Sequence, residues 1–570
     1  MKMSDVRLIV GIDLGTTNSE CFVYSTTTNT PELQYLNGSL TGMYPSVILY
    51  DQKAEKFIVG QEAKDNEGAK VWREMKIDLG KGEAKKVTIG SQTLNPITFS
   101  TIILKYIYEG LQQAYNDPII ETLVITVPAD FKDAERQATL KAAHDAGFEP
   151  ENEIRLINEP TAAALAYGEK LNEAQTLVSF DLGGGTFDVT FLEYDNIDGV
   201  RFYQALKTDG LILGGRDFDR KIIDYLYEGY LATDEGKAYK KDVAFKESFY
   251  LSAKNLAERI KINLSKTESV SGTDIIKVNG NRIILEYSIT RDQFEKMIEG
   301  LVDRTIQMTK KVIGEEEVGC ILMVGGSTRV PLIKKKIEEA FPNIPRVDDN
   351  PDLIVALGAC IQASIISNKK ESFLNEILTN PLGISVSGDF VKHMLYEGTP
   401  IPYEIEERFY RADDGDEVSA FLVQGKDILL ESRNNQILGE IVLTGMKNTE
   451  AGAPVDIKIR VDNSGMVEVT ASEVEEDGAK FFNNFKIGST MRVQAQNYAD
   501  LRAQAFEKYK DKTLQDLTAI ADEIIEKIEA REEKVPSDHW LLEKLQSGRY
   551  GNLEEFKVIV YRADLKTDLY

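Results

Sequence analysis

Cysteine is scarce in this chain of 570 residues: Cys21, Cys320 and Cys360 stand alone in apolar surroundings, without metal-ligand spacing. That excludes a disulfide framework and fits structural thiols in a reducing compartment. No run of about 18 apolar residues occurs, which excludes a membrane-spanning helix. Positive charge is in short supply. A net charge of −26 and a pI near 4.8 repel phosphate backbones, so no nucleic-acid partner is expected and the acidic side chains read as a solvated surface. A first strand entered by Leu8 leaves no space for a signal peptide, so the expected location is cytoplasmic. What is present is 42% hydrophobic, enough for large cores in three or four units.

Two aspartate-glycine turns carry most of the remaining information. Asp13-Leu14-Gly15-Thr16-Thr17 follows the run Leu8 to Ile12, and Asp181-Leu182-Gly183-Gly184-Gly185-Thr186 follows Leu177 to Phe180. Each leads into a second extended segment, Ser19 to Tyr24 and Phe187 to Tyr194. An aspartate at a strand end offers a carboxylate to a metal, glycines let main-chain N–H groups approach phosphate oxygens, and threonine hydroxyls donate to them. Two such hairpins imply two similar lobes able to clamp the β- and γ-phosphates of one nucleotide.

Residues 8 to about 368 alternate strand-like and helix-like patterns, an α/β signature. A charged stretch at Lys369-Lys370-Glu371 and the segment Phe373 to Ile377 read as a connector. From Pro381 to about Ile487, short alternating strands separated by Gly, Asp and Asn turns predict a β-sandwich or barrel. Beyond Met491, Leu514, Leu517, Ile520, Ile524, Ile525 and Ile528 fall at helical spacing. Their stripe needs a cover, either the helix's own domain or a partner helix. The expected boundaries are 1–368, a linker at 369–380, 381–490 for the sandwich and 491–570 for the helical tail.

A third glycine cluster, Val324-Gly325-Gly326-Ser327-Thr328-Arg329-Val330-Pro331, stands at a strand-to-helix turn. Alone it is either an ordinary tight turn or a place where a ring or phosphate approaches the main chain. Lys76 alone reads as solvated surface, Glu159 as a helix-cap carboxylate before Pro160, and Glu258 with Lys261 as an i, i+3 ion pair. The apolar residues of 381–488 read as ordinary core.

These motifs, with Ile157 through Gly168, Gly214 through Asp219, Asn350-Pro351-Asp352, Leu438 through Gly445 and Val461 through Ala471, closely resemble the 70-kDa heat-shock chaperones over roughly residues 8–488. The resemblance implies a two-lobed actin-like ATPase domain, a β-sandwich and a helical lid. It implies ATP or ADP as cofactor with Mg²⁺, and K⁺ as a candidate further ion. Gly15, Thr16, Thr17 and Asn18 would bind phosphate from one side, and Gly183, Gly184, Gly185 and Thr186 from the other. Asp13 and Asp181 would hold the metal through water, Lys76 would be the catalytic lysine, and Glu159 and Asp188 would orient water and the metal shell. Glu258, Lys261, Ser265, Gly325, Gly326, Ser327, Arg329 and Asp352 would form the nucleoside pocket.

Ile384, Ser387, Phe390, Phe409, Ala412, Val418, Ile437 and Leu438 match positions of the cleft that holds an extended apolar peptide. Pro128 and Arg136 match the family's relay between ATP state and peptide affinity, and Arg155, Asn158 and Thr161 its J-domain contact. The implied partners are unfolded polypeptides, a J-domain co-chaperone and a nucleotide-exchange factor, with no nucleic acid and no membrane.

The chain departs from the pattern in its coupling elements. The acidic Leu-rich linker is replaced by Phe373 through Asn380 without an evident aspartate, Ser387 stands where a methionine arches over bound peptide, Glu397 replaces a docking lysine, and Leu140 replaces a polar residue. The tail after Met491 is short and matches the lid poorly. The expected function is an ATP-dependent chaperone. The alternatives are a divergent ATP-binding co-chaperone that acts as a holdase or as an exchange partner for another chaperone, with little stimulated ATPase, and an actin-like small-molecule kinase, which leaves residues 381–488 unexplained.

Overall fold

The computed structural model describes residues 6–487 apart from short interruptions at 26–27, 29, 67–70, 77, 80–85, 90–91, 169–170, 172, 198–199, 349, 369–371, 387–388, 416, 431, 433, 445, 475–479 and 482–484. Beyond these it describes residues 507–529, 545, 556–557 and 560. Ser387 and most of the tail therefore lie outside the described residues. The chain separates into two compact units: Met1–Thr379 with Pro400–Pro402 and Asp462–Met466, and the remainder from Asn380 to Tyr570.

The first unit repeats one arrangement. Strand β1 (Arg7–Asp13) turns back antiparallel into β2 (Asn18–Ser25), which is followed by β3 (Thr30–Leu33). On its other side β1 pairs in parallel with β4 (Ile119–Val127), and β4 with β5 (Glu153–Asn158). The second sheet does the same. Strand β6 (Gln175–Leu182) turns back into β7 (Phe187–Ile197), β8 (Val200–Leu211) follows, and β9 (Cys320–Val324) pairs in parallel with β6. Near-continuous apolar runs such as Leu8–Ile12 belong to strands buried on both faces.

Two helices rich in small residues fill the space against these sheets. They are α1 (Glu159–Gly168) and α4 (Ile354–Asn368), with α2 (Gly215–Ala232) and α3 (Val243–Leu264) packed together elsewhere in the unit. A Cβ on Gly358 of α4 would stand 1.8 Å from the Ala162 carbonyl oxygen of α1, and one on Gly11 of β1 would stand 2.1 Å from the Cys360 nitrogen. Only hydrogen fits at either place. All three cysteines are buried and free, in line with structural thiols.

The segment expected to be a connector contains a strand. Strand β10 (Ser372–Ile377) adds in parallel to β8 and continues the second sheet, itself pairing with the short strand Pro400–Ile401.

In the second unit, β11 (Leu382–Val386), β12 (Phe390–Leu395), β14 (Glu417–Gln424), β15 (Gln436–Thr444) and the strand Phe485–Ile487 form one sheet in the order β12-β11-β14-β15-Phe485–Ile487. The strands β13 (Tyr403–Tyr410), β16 (Pro454–Val461) and β17 (Val467–Val474) form the other, with Lys480–Phe481 at its edge. Helix α5 (Leu514–Glu529) lays Leu517, Ile524 and Ile525 on Phe390 and Leu429, joined by Tyr509, Leu545, Phe556 and Val560. The apolar stripe is thus covered within its own unit except at Leu514, which is 41% exposed; the side chain of Ile528 lies outside the described residues.

The close approach at Gly358 gives the first prediction. Gly358→Ala places a methyl group on main chain that cannot rotate away, and is expected to cost about 1–3 kcal/mol in urea unfolding. A change within about 0.5 kcal/mol, the range of neutral surface substitutions, would contradict this packing.

Candidate functional site

The two aspartate-glycine turns meet. A Cβ on Gly184 would lie 1.9 Å from Thr17 Oγ1, so the second turn comes up against the threonine side chain of the first. Main-chain bonds hold each turn. Gly183 N donates to Thr186 O (3.0 Å), Gly215 N to Gly183 O (3.0 Å) and Arg216 N to Gly184 O (2.9 Å). On the first turn, Ser46 N donates to Thr17 O and Ser46 Oγ to Gly15 O, both at 2.8 Å. Ser46 was not legible as a site residue because it lies outside the turn it fastens.

A cavity of about 100 Å³ opens between the turns, lined among others by Asp13, Gly15, Thr16, Thr17, Asn18, Lys76, Glu159, Asp181, Gly183, Gly184 and Thr186, with Gly325, Gly326 and Asp352. The structure thus brings together residues from both turns and from the third glycine cluster. Lys76 is 5% exposed, its Nζ 2.5 Å from Glu159 Oε1 and 5.8 Å from the centre of the Phe131 ring. A lysine read alone as surface is in fact the cation inside a group of buried acids. Burial works against its charge, but Glu159 and Asp13 prevail and hold its pKa above the usual lysine value.

The acids respond in the opposite sense. Burial, reinforced by Glu159, pushes Asp13 up to about 6, while Lys76 and the Thr126 hydroxyl pull it down. Burial, with Glu159 and Asp13 nearby, raises Asp181 well above the ordinary carboxylate range, and Asp188 is raised by burial and by Asp130 and Glu159. Asp188 stands opposite Asp181 in the β6–β7 register, and it does not line the cavity.

Beside this cavity a larger one of about 370 Å³ is lined by Thr16, Thr17, Gly184, Lys64, Arg73, Arg216, Asp219, Glu258 and Lys261 among others. Glu258 and Lys261 do not pair with each other. Glu258 pairs with Lys64 (2.8 Å), and Lys261 pairs with Asp219 and donates to Gly215 O, at 2.9 and 3.2 Å. Ser265 caps α3 and donates to Lys261 O (3.0 Å). Gly325, at φ 80°, is pressed against β6: a Cβ there would lie 2.4 Å from Leu182 O. Ser327 Oγ donates to Gly183 O (2.8 Å), tying the third cluster to the second turn, and Arg329 forks onto Asp352 Oδ2 at 2.9 and 2.6 Å. Gly185 belongs to the second turn but does not line either cavity.

A carboxylate does serve the connector. Glu376 of β10 is buried and accepts from the Asn158 main-chain N (3.2 Å) and its Nδ2, while Arg136 Nη2 donates to Asn158 Oδ1 (2.7 Å). Arg155 pairs with Glu153 and Thr161 is buried beside them on α1, while Leu140 packs on the core of the first lobe.

In the second unit the expected peptide-contacting residues do not all share one face. Ile384 and Phe390 lie on one side of their sheet, Phe390 1% exposed beneath α5. Ile437 packs on Val391, Val423 and Leu430 across it, and Leu438 occupies the bulge between the Ile437 and Gly439 pairings. Phe409 is half-buried under Lys392 Nζ, 4.8 Å from its ring centre, and Lys392 also pairs with Glu407. Ala412 is exposed, and Val418 is half-buried. Glu397 pairs with Lys426 (2.8 Å).

A family model described as Hsp70 protein matches residues 69–554. The chain belongs to the Hsp70 family. Hsp70 proteins are chaperones and ATPases that bind ATP or ADP with Mg²⁺ and generally work with unfolded polypeptides, J-domain proteins and exchange factors. The mixed α/β architecture agrees with the Hsp70 combination of an ATPase domain and a β-sandwich. The first turn, at Asp13, precedes the matched Hsp70 stretch, so its facing of Gly184 is a result of the structure alone. Among the described residues no helix is long and apolar enough to cross a membrane.

Asp13 leans on a single hydroxyl: Thr126 Oγ1 donates to Asp13 Oδ1 at 2.6 Å. Thr126→Val keeps the shape and removes the donor, and is expected to lower the unfolding free energy by about 1.5–3 kcal/mol, the range for hydrogen bonds to charged groups. A loss below about 0.5 kcal/mol by denaturant titration would show that the carboxylate does not depend on it.

Proposed function

We propose that this protein is an ATP-driven chaperone in which nucleotide held between the two turns governs the affinity of the β-sandwich for extended apolar peptide. The observation that carries the reading is the contact of Gly184 with Thr17 above the Lys76–Glu159 pair, because it gathers phosphate-facing main chain and opposed charges in one cavity. The proposed domains are 1–368 for nucleotide, 369–380 for the connection, 381–490 for peptide and 491–570 for the helical tail.

In this reading Thr16, Thr17 and Asn18 donate to phosphate from one side, and the Gly183–Thr186 turn donates from the other. Glu258, Lys261, Ser265, Gly326 and Arg329 hold the nucleoside. Half-buried Asp13 and buried Asp181, with one lysine beside them, would hold Mg²⁺ through water, and its charge would relieve their mutual repulsion. Mg²⁺ supplies neutralisation of charge developing on the transferred phosphoryl group. Lys76 stands next to that charge, and Glu159 fixes the lysine's direction and accepts from an attacking water. Such positioning and electrostatic work is what phosphoryl transfer requires of a protein.

Ile384, Phe409 and Val418 are the proposed peptide contacts, with Ser387 in place of an arching methionine; Phe390, Ala412, Ile437 and Leu438 complete the set. Binding of an extended segment to strand edges would supply main-chain hydrogen bonds in addition to apolar burial. Glu376, Asn158 and Arg136 form the proposed relay, with Pro128 at the end of β4, and Arg155, Asn158 and Thr161 the proposed J-domain face. Linkage requires that peptide in turn alter nucleotide affinity or turnover.

The ATPase rate is expected to rise when an unfolded client or a J-domain protein is added. Response to neither would favour the divergent holdase, and a phosphorylated small-molecule product would revive the kinase. Lys76→Ala should retain ATP binding by calorimetry and lose about 10²–10³-fold in turnover, the usual cost of removing one electrostatic contact to the transition state. Unchanged turnover would remove Lys76 from the chemistry.

A further inference from the structure

Lys76 is carried on a short segment that is tied to both lobes. The strand Val71–Arg73 pairs antiparallel with Val47–Asp51 of the first lobe. Trp72 and Met75 are buried in the core of that lobe, and Lys76 lines the smaller cavity. Arg73 and Glu74, between those two anchors, line the larger cavity instead. Arg73 Nη1 donates to Asn255 Oδ1 at 2.8 Å, and Glu74 Oε1 accepts from Lys254 Nζ at 3.0 Å. Lys254 and Asn255 stand on α3, whose buried residues Phe249, Ala253, Leu256 and Ala257 belong to the core of the second lobe.

Glu74 has φ 66°, the left-handed region that a residue with a side chain keeps only where its surroundings impose it. The ion pair made by its carboxylate is with the opposite lobe. Both partners are partly buried, with 33 and 26% of their side chains exposed, so solvent screens the pair less than it would one on the open surface. A further link lies beside it: Asn255 Nδ2 donates to Lys64 O at 2.9 Å, and Lys64 pairs with Glu258 of the same helix. The second lobe therefore holds the chain immediately before Lys76, while Glu159 holds the lysine's ammonium.

We propose that the Glu74–Lys254 pair is a positioning device for Lys76, which sets the lysine against the transferred phosphate only while the two lobes are closed on nucleotide. Separation of the lobes breaks the pair and leaves the left-handed residue without the contact that fixes it. Neither side chain touches the reacting atoms; both act through Lys76. The inference rests on the reading of Lys76 as the catalytic lysine.

The test is single-turnover ATP hydrolysis by the full chain at saturating nucleotide, with ATP affinity measured separately by calorimetry. Glu74→Gln and Lys254→Gln are each expected to slow hydrolysis about tenfold or more while ATP affinity changes less than about twofold, since misplacing a group by about 1 Å costs up to about 10²-fold in rate. In a Lys76→Ala protein the same substitutions are expected to cost nothing further. Weaker ATP binding with an unchanged rate at saturation would show a pair that merely closes the cleft, and overturns the proposal. A full additional loss in the Lys76→Ala protein overturns it as well. Hydrolysis that depends on Lys76 but not on Glu74 sinks the positioning pair alone, whereas hydrolysis independent of Lys76 sinks the reading of the site and the pair with it.

Discussion

Where Gly184 meets Thr17, a Cβ would stand 1.9 Å from the threonine hydroxyl, and there the two hairpins come together. Each hairpin ends a parallel-flanked strand, and the absence of a side chain at Gly184 leaves room for that of Thr17. The same requirement recurs below them. Gly11 lets α4 lie against β1, and Gly358 lets α1 and α4 cross at main-chain distance, so the floor of the cleft is as tightly built as its mouth. Close-packed interiors transmit small displacements, which suits a device whose two halves must register one ligand.

Charge sets the second constraint. Asp13, Glu20, Asp181 and Asp188 stand around a single lysine, Asp13 half-buried and the others buried, and each carboxylate is shifted upward by desolvation before its neighbours add to the effect. Such an arrangement is unfavourable by itself and becomes favourable with cations, so ligand binding and the electrostatics of the fold are one problem. The basic residues of the larger cavity are mostly committed to acids across it, as Lys64 is to Glu258 and Lys261 to Asp219. These pairs span segments distant in sequence and help to define the walls against which a nucleoside would rest.

Much of this was legible because glycine and aspartate at strand ends have few other uses. The turns at Asp13 and Asp181 and the cluster at Gly325 announced strand ends and close approaches directly, and the apolar period of 514–528 announced a covered helix. What stayed hidden depends on register and on distant partners. Glu20 reads as one polar residue in an apolar strand until the β1–β2 pairing sets it opposite Asp13. Glu376 lies in a segment that reads as a connector, and its parallel pairing with β8 shows only in the structure. The cover over Phe390 comes from residues more than a hundred positions away, which no local pattern reports.

The central proposal is that the state of the paired turns is felt at the β-sandwich proposed to bind peptide. Release of a fluorescent extended apolar peptide, followed by stopped flow from the ADP-loaded and the ATP-loaded protein, measures this most directly. The account predicts faster release with ATP, by tenfold or more, which corresponds to about 1.4 kcal/mol of coupling. Identical release rates in the two states would contradict it.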